Sequence, residues 1–252
     1  MPMRFEGKVV FITGGAIGFG RAFGRALAAE GARIAVVDID LAAAEKEVEA
    51  LRASGHTALA IGCDVADEVQ VDAAVEATVR ELGGVDVLIN NAGKHLTKYN
   101  QPFSVLPRHE VRALFDVNVI GVVNCTVACR EPMRARGGGA ILNISSIAGR
   151  MSTSPYGVSK LAVRGLTIAF ARELAPDGIR VNAVSPGLMG TENALADLPP
   201  EMVDGFVKDL QLVHRLGTMD DIVEAMLFLC SASSSFVTGE TLQVSGGYPM
   251  SI

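Results

Sequence analysis

The sequence predicts a single α/β domain built on a doubly wound parallel sheet of about seven strands, with helices on both faces. Three observations predict it. Its β-rich apolar runs are continuous rather than alternating, which marks strands buried on both sides. Helical stretches rich in Ala or Glu separate most of those runs and supply the crossovers a parallel sheet requires. A glycine cluster stands between the first apolar run and the first helical stretch, as a tight strand-to-helix turn needs. At 252 residues, 49% hydrophobic and 20% charged, the chain lies near the upper limit of one hydrophobic core. No repeat, low-complexity segment or Pro/Ser-rich linker divides it, so residues 1–252 are read as one domain.

The first strand is read at Lys8 to Thr13 (KVVFIT), followed by the glycine turn and a helix ending near Gly31. Further strands are expected at Arg33 to Val37, Ala58 to Cys63, Val85 to Asn90, Ala140 to Ser145, Arg180 to Val184 and Thr241 to Val244. Helices are expected over Leu41 to Ala53, Glu68 to Leu82, Glu110 to Arg136, Tyr156 to Ala175 and Asp220 to Ser231. One stretch breaks this rhythm. Leu188 to Gly217, with Pro199 and Pro200 inside it, is long for a connection and leaves the carboxyl end of a strand, where open α/β sheets bind ligands. It reads as a substrate lid.

Composition removes several functional classes. With 22 basic and 28 acidic residues the formal charge is -6, which repels nucleic acid and acidic membranes. The opening MPMRFEGKVV lacks the pattern of a signal peptide, and the uncharged stretches Val117 to Cys129 and Ala225 to Gly239 are too short and too polar to span a bilayer. The expected location is the cytoplasm. Cys63, Cys125, Cys129 and Cys230 form no C-x-x-C pair and read as small core residues, and the histidines show no metal-binding spacing. No metal is expected.

Thr13-Gly14-Gly15-Ala16-Ile17-Gly18-Phe19-Gly20 stands where backbone must approach a pyrophosphate and where helix N-terminal amides bind it. Asp38 ends the second strand, where a carboxylate accepts both hydroxyls of an adenosine ribose and repels a 2'-phosphate. No basic residue lies between Gly14 and Gly20, and Ile39 is apolar, so NAD is favoured over NADP. The alternative for Asp38 is a cap for the helix beginning at Leu41. Asp64 and Asn90-Asn91-Ala92-Gly93 end the next two strands, at the same edge of the sheet. Tyr156 and Lys160, four apart at the start of a helix, share one face. A free phenol, with a pKa of about 10, is a poor base at neutral pH, but a nearby ammonium and a cationic nicotinamide favour its ionised form. Such a tyrosine handles the proton of an alcohol while hydride moves at carbon.

Taken in order, TGGAIGFG, Asp64, NNAG, Asn118, a serine before YxxxK, and PGLMGT resemble the short-chain dehydrogenase/reductase family across nearly the whole chain. The resemblance implies a Rossmann-like fold and a homotetramer packed through the Glu110 to Arg136 and Tyr156 to Ala175 helices. It implies that Tyr156 is the acid/base, that Lys160 holds the nicotinamide ribose and lowers the phenol pKa, that Ser146 steadies the substrate oxygen, and that Asn118 holds a relay water. Cofactor contacts carried over are Gly14, Ile17, Gly18, Gly20, Asp38, Asp64, Val65, Asn91 and Gly93, with Pro186, Leu188 and Thr191 near the carboxamide. One departure matters: the nine residues between Ser146 and Tyr156 are fewer than the family commonly has. Ser145, Ser152 and Ser154 are therefore alternatives to Ser146, and Arg150 comes nearer the cleft: it reads as a solvent-facing loop charge, the alternative being that with Lys94 or His95 it receives a substrate carboxylate or phosphate. Apolar lid residues (Leu188, Met189, Leu195, Phe206, Leu210) suit a cyclic or aliphatic ketone, and equally the packing of a lid helix. The function expected is an NAD-dependent oxidoreductase interconverting a secondary alcohol and a ketone. An NADPH-dependent 3-oxoacyl thioester reductase and a non-catalytic NAD-sensing protein are the alternatives.

Overall fold

The computed structural model describes residues 3–95, 97–191 and 198–250. Strands β1 (Val9–Thr13), β2 (Arg33–Asp38), β3 (Ala58–Gly62), β4 (Val87–Asn90), β5 (Gly139–Ile144), β6 (Ile179–Pro186) and β7 (Thr241–Val244) form one sheet in the order β3-β2-β1-β4-β5-β6-β7. Every pairing is parallel. The chain starts mid-sheet, winds outward to β3, then returns past β1 to β4, and that reversal opens a crevice beyond the carboxyl ends of β1 and β4.

Side-chain alternation along the strands builds two cores. Val10, Ile12, Ile34 and Ile89 face helices α1 (Gly18–Ala29), α2 (Leu41–Ala53) and the C-terminal helix Met219–Cys230, meeting Phe23, Leu27, Val48 and Met226. Val9, Phe11, Val37 and Leu88 face the other way, toward α3 (Glu68–Leu82) and the long helices that follow, meeting Val75, Cys129, Met133 and Phe170. Both faces of β1 are thus dry, which is why its sequence is uninterruptedly apolar. Each such fully buried side chain stabilises the fold by roughly 1.5–3 kcal/mol. All four cysteines are free and buried in these layers, as their apolar reading anticipates.

The helix expected over Glu110 to Arg136 is interrupted. It runs as α4 (Arg108–Phe115), a π-helical turn (Asp116–Ile120) and α5 (Gly121–Ala135). The widened turn swings Asn118 into the interior, where it is buried. By length and composition Arg108–Ala135 passes for a membrane span, yet Val122, Cys125, Cys129 and Met133 are buried, and the last three lie in the second core, as in a core helix. After β5, the shortened loop coils into α6 (Ala148–Met151) and leads into α7 (Pro155–Glu173). Beyond β6, part of the expected lid lies outside the described residues, Leu195 included. Its remainder holds α8 (Pro200–Gly205) and a π turn (Phe206–Leu210). The two feet of this segment stand together, Gly190 N donating to Gly217 O (2.8 Å) and Gly217 N to Leu188 O (3.1 Å).

Candidate active site

At the centre of the crevice, Gly14 and Gly18 adopt left-handed backbone, φ 60° and 55°, which favours glycine. Ile17 is the N-cap of α1 and makes no side-chain cap bond, so among the described residues no side chain caps the first-turn amides. Thr13 Oγ1 accepts from the amides of Asn91 (3.0 Å) and Ala92 (3.1 Å). Asn91 Nδ2 donates to Thr13 O and Gly14 O, at 3.0 and 2.8 Å. The Asn91 amide, expected among cofactor contacts, is therefore a latch that holds the turn onto β4. Gly20 packs closely against the turn. It is buried beneath the turn, where a methyl would run into the Gly14 carbonyl, so its contribution is close packing.

Asp38 Oδ2 accepts from Ala16 N and Oδ1 from Asp40 N, both at 3.1 Å, which leaves each oxygen a further lone pair. It does not cap α2; Asp40 does, accepting from Ala43 N at 3.1 Å. Asp64 lies just past β3 and accepts from Ala66 N (3.0 Å), while buried Val65 receives Asn124 Nδ2 on its carbonyl (2.9 Å). A helix N-terminus without a side-chain cap bond, a turn whose Gly14 and Gly18 take left-handed backbone and whose Gly20 leaves no room for a methyl, and a strand-end carboxylate fit a dinucleotide.

Tyr156 and Lys160 occupy the first turns of α7, which Ser154 caps by accepting from Gly157 N at 3.1 Å. Lys160 Nζ lies 5.9 Å from the Tyr156 ring centroid and donates to Ile144 O at 2.7 Å. Burial drives the Lys160 ammonium down to about 8. The Tyr156 phenol is instead raised by burial, with a hydrogen bond from Ser146 pulling the other way. Desolvation is the larger of the two causes, and Lys160 Nζ makes its hydrogen bond to the Ile144 carbonyl beside the phenol.

Of the candidate serines, Ser146 is the one that faces Tyr156. Ser145 Oγ donates to Lys160 O (2.9 Å), Ser152 sits at φ 51° and donates to Gly149 O (3.0 Å), and Ser154 is the helix cap. The coiled α6 thus does the work of the missing loop residues. Asn118 Oδ1 accepts from Lys94 N (2.7 Å), and its Nδ2 donates to Lys94 O (3.0 Å) and Ser159 Oγ (3.1 Å). The Asn118 side chain therefore ties the Gly93–Lys94 segment to α7, and Ser159, unforeseen in the sequence, is the other end of that tie. Gly93 lies so close that a methyl there would sit 3.5 Å from Lys160 Nζ.

Pro186 closes β6 and accepts from Ile147 N at 3.1 Å, which puts the start of the Pro186–Thr191 segment beside Ser146. Leu188 and Thr191 follow on the same strand exit. Arg150 stands on α6, beyond Ser146. It lines a groove with Leu161, Arg164 and Pro249, and Arg164 is held below the usual guanidinium range by burial and then by Arg150's charge.

The family description enoyl-(acyl carrier protein) reductase matches residues 14–249. The chain is 40% identical over 243 residues to an uncharacterized oxidoreductase of Mycobacterium tuberculosis, covering 96% of this chain and 98% of that protein. It is 37% identical over 251 residues to the cis-4-hydroxycyclohexanecarboxylate dehydrogenase of Sinomonas cyclohexanicum, covering 98% and 99%. A solved structure of 7α-hydroxysteroid dehydrogenase with NADH and 7-oxo glycochenodeoxycholic acid superposes with a TM-score of 0.90 at 33% identity, covering 98% of this chain and 96% of that one.

Proposed function

The chain belongs to the short-chain dehydrogenase/reductase family, and from that membership and the geometry around Tyr156 we propose that it is an NAD-linked oxidoreductase interconverting a secondary alcohol and a ketone. The observation that carries this reading is the convergence of Tyr156, Ser146 and Lys160 at the sheet edge that also bears the glycine cradle. Gly14, Ile17 and Gly18 would hold the pyrophosphate, Asp38 the adenosine ribose, Asp64 and Val65 the adenine side, and Lys160, Gly93, Pro186, Leu188 and Thr191 the nicotinamide end. When bound, the nicotinamide supplies the one group the chain lacks, a carbon that accepts or releases hydride.

The chain's own residues manage the oxygen. Ser146 donates to the substrate oxygen and orients it toward Tyr156. The Tyr156 hydroxyl gives that oxygen a proton in reduction and, ionised, takes one in oxidation. Lys160 provides fixed positive charge beside the phenol, and Asn118, by gripping Lys94 and Ser159, keeps the cleft wall in register with α7. Asp38 favours NAD, because its carboxylate repels a 2'-phosphate. The relatives named for a hydroxycyclohexanecarboxylate and for hydroxysteroids act on ring alcohols, so cyclic secondary alcohols are the substrates to try first. The exposed apolar side chains of Ile120, Val127, Leu161 and Ile168 support a homotetramer, and buried free thiols suit the cytoplasm. The test is absorbance of reduced cofactor when purified protein is given NAD or NADP and a panel of cyclic secondary alcohols. NADH should accumulate and NADPH should not. Silence across the panel counts against the activity, and a preference for NADP against the Asp38 assignment.

A further inference from the structure

A line of buried polar side chains crosses the otherwise apolar layers beneath the site. Asn90 and Asn143 are paired in register on β4 and β5. Asn90 Nδ2 donates to Asn143 Oδ1 (2.9 Å) and to Thr126 Oγ1 of α5 (3.3 Å). Asn143 Nδ2 donates to Thr167 Oγ1 of α7 (2.9 Å), whose hydroxyl donates in turn to Val163 O (2.8 Å). Asn143, Thr126 and Thr167 have no solvent exposure at all, each at 0%. Asn90 Oδ1 has no hydrogen-bond partner among the described residues. A core that only had to be stable would gain from apolar side chains here, since an orphaned buried acceptor is costly.

The line ends where the ammonium is seated. Alternate residues of a strand share a face, so Asn143 and Ser145 both point at α7 while Ile144 turns to the opposite core. Ser145 binds Lys160 O, Asn143 binds Thr167 about two helical turns further on, and the carbonyl between them, Ile144 O, receives Lys160 Nζ. The seat is bracketed on both sides. We propose that Asn143 and Thr167 are positioning residues for the reaction, fixing the height of α7 on β5 so that the Lys160 ammonium is held at Ile144 O beside Tyr156. This rests on the oxidoreductase reading for its catalytic consequence, but the seating of Lys160 is measurable without substrate.

The experiment compares Thr167→Val, which keeps the shape and removes the hydroxyl, with Thr167→Ser, which restores it. Thr78→Val is the control: Thr78 is equally buried, but its hydroxyl donates to Ala74 O within its own helix, at 2.9 Å. The first readout is the pH dependence of acetylation at Lys160 in the full-length protein, followed by mass spectrometry. In Thr167→Val its midpoint should rise toward that of an ordinary lysine, and in Thr167→Ser and Thr78→Val it should stay at the wild-type value. The second readout is turnover with NAD and an alcohol the wild type oxidises. Thr167→Val should lose about tenfold in kcat, as small displacements of reacting groups do, with KM for NAD within about twofold and the acid limb of kcat moved to higher pH. Thr167→Ser should restore both. An unmoved lysine midpoint in Thr167→Val, or a kcat loss that serine does not rescue or that Thr78→Val shares, overturns the proposal. A wild type inactive on every alcohol but with a shifted midpoint in Thr167→Val would overturn the activity and leave the seating standing. Should Thr167→Val not fold, Asn143→Leu, which removes the other half of the same bond, is read by the same midpoint.

Discussion

Replacing Lys160 by methionine should disable the enzyme and, at neutral pH, relieve the fold of a burden. Burial carries the ammonium from the ordinary 10.5 to about 8. The gap, between two and three pKa units at about 1.4 kcal/mol each, makes the charged lysine destabilising by about 3 kcal/mol. Lys160 is 6% exposed, so solvent screening removes little of this. A group whose folded pKa is depressed in this sense binds fewer protons folded than unfolded between about 8 and 10.5. Wild-type stability therefore rises with pH through that window, and the penalty is full below it. Methionine has no such term but leaves Ile144 O without its donor, an offset of about 1–3 kcal/mol that does not vary with pH. The pH-dependent part is thus the clean quantity. The difference in melting temperature, variant minus wild type, should fall by roughly 6–12 °C between neutral pH and about pH 10.5, at 2–4 °C per kcal/mol for a chain of this size. Calorimetric or circular-dichroism melts at matched protomer concentration measure it. A difference that stays flat across that range would refute the claim that the ammonium is desolvated.

Gly20→Ala should cost more than tenfold in dinucleotide affinity, because the added methyl meets the rigid Gly14 carbonyl and tilts the cradle; a fluorescence titration that finds wild-type binding would contradict this. Asp38→Ser should shrink the preference for NADH over NADPH by about tenfold or more in kcat/KM, since it removes the charge that repels a 2'-phosphate; an unchanged ratio would assign discrimination elsewhere. The thiols should resist a disulfide reagent at neutral pH. Burial raises Cys63 to about 11 and Cys230 to about 12 and lifts Cys125 and Cys129 as well. All four should react once the chain is denatured, and rapid labelling of the native protein would contradict their placement.

Much of the fold was legible because strands buried on both faces must be apolar throughout. Thr241–Val244, Leu41–Ala53 and Glu68–Leu82 match the sequence reading residue for residue. The π turn at Asp116–Ile120 left no trace, since one widened turn barely disturbs the apolar period on either side. β6 runs on to Pro186 because a proline at the strand's end gives up no ladder donor that the sheet needs. In the site, residue types that chemistry demands were readable: glycine at the turn, a carboxylate at Asp38, tyrosine and lysine one turn apart. What the sequence does not encode locally is side-chain direction. Choosing Ser146 over Ser145 requires knowing which hydroxyl meets the Tyr156 phenol and which is spent on the α7 backbone, and that depends on how the shortened loop coils into α6. The raised phenol of Tyr156 was likewise invisible, because desolvation is a property of the packed surroundings and not of spacing.

The most direct test of the account is Tyr156→Phe, assayed for both dinucleotide binding and turnover. Removing one hydroxyl that exchanges the substrate's proton should abolish NADH formation from any alcohol the wild type oxidises, a loss of at least about a hundredfold. NAD affinity should stay within a few-fold, because the glycine cradle and Asp38 are untouched. A phenylalanine variant that still turns over at a wild-type rate would contradict the central claim that this phenol carries the proton.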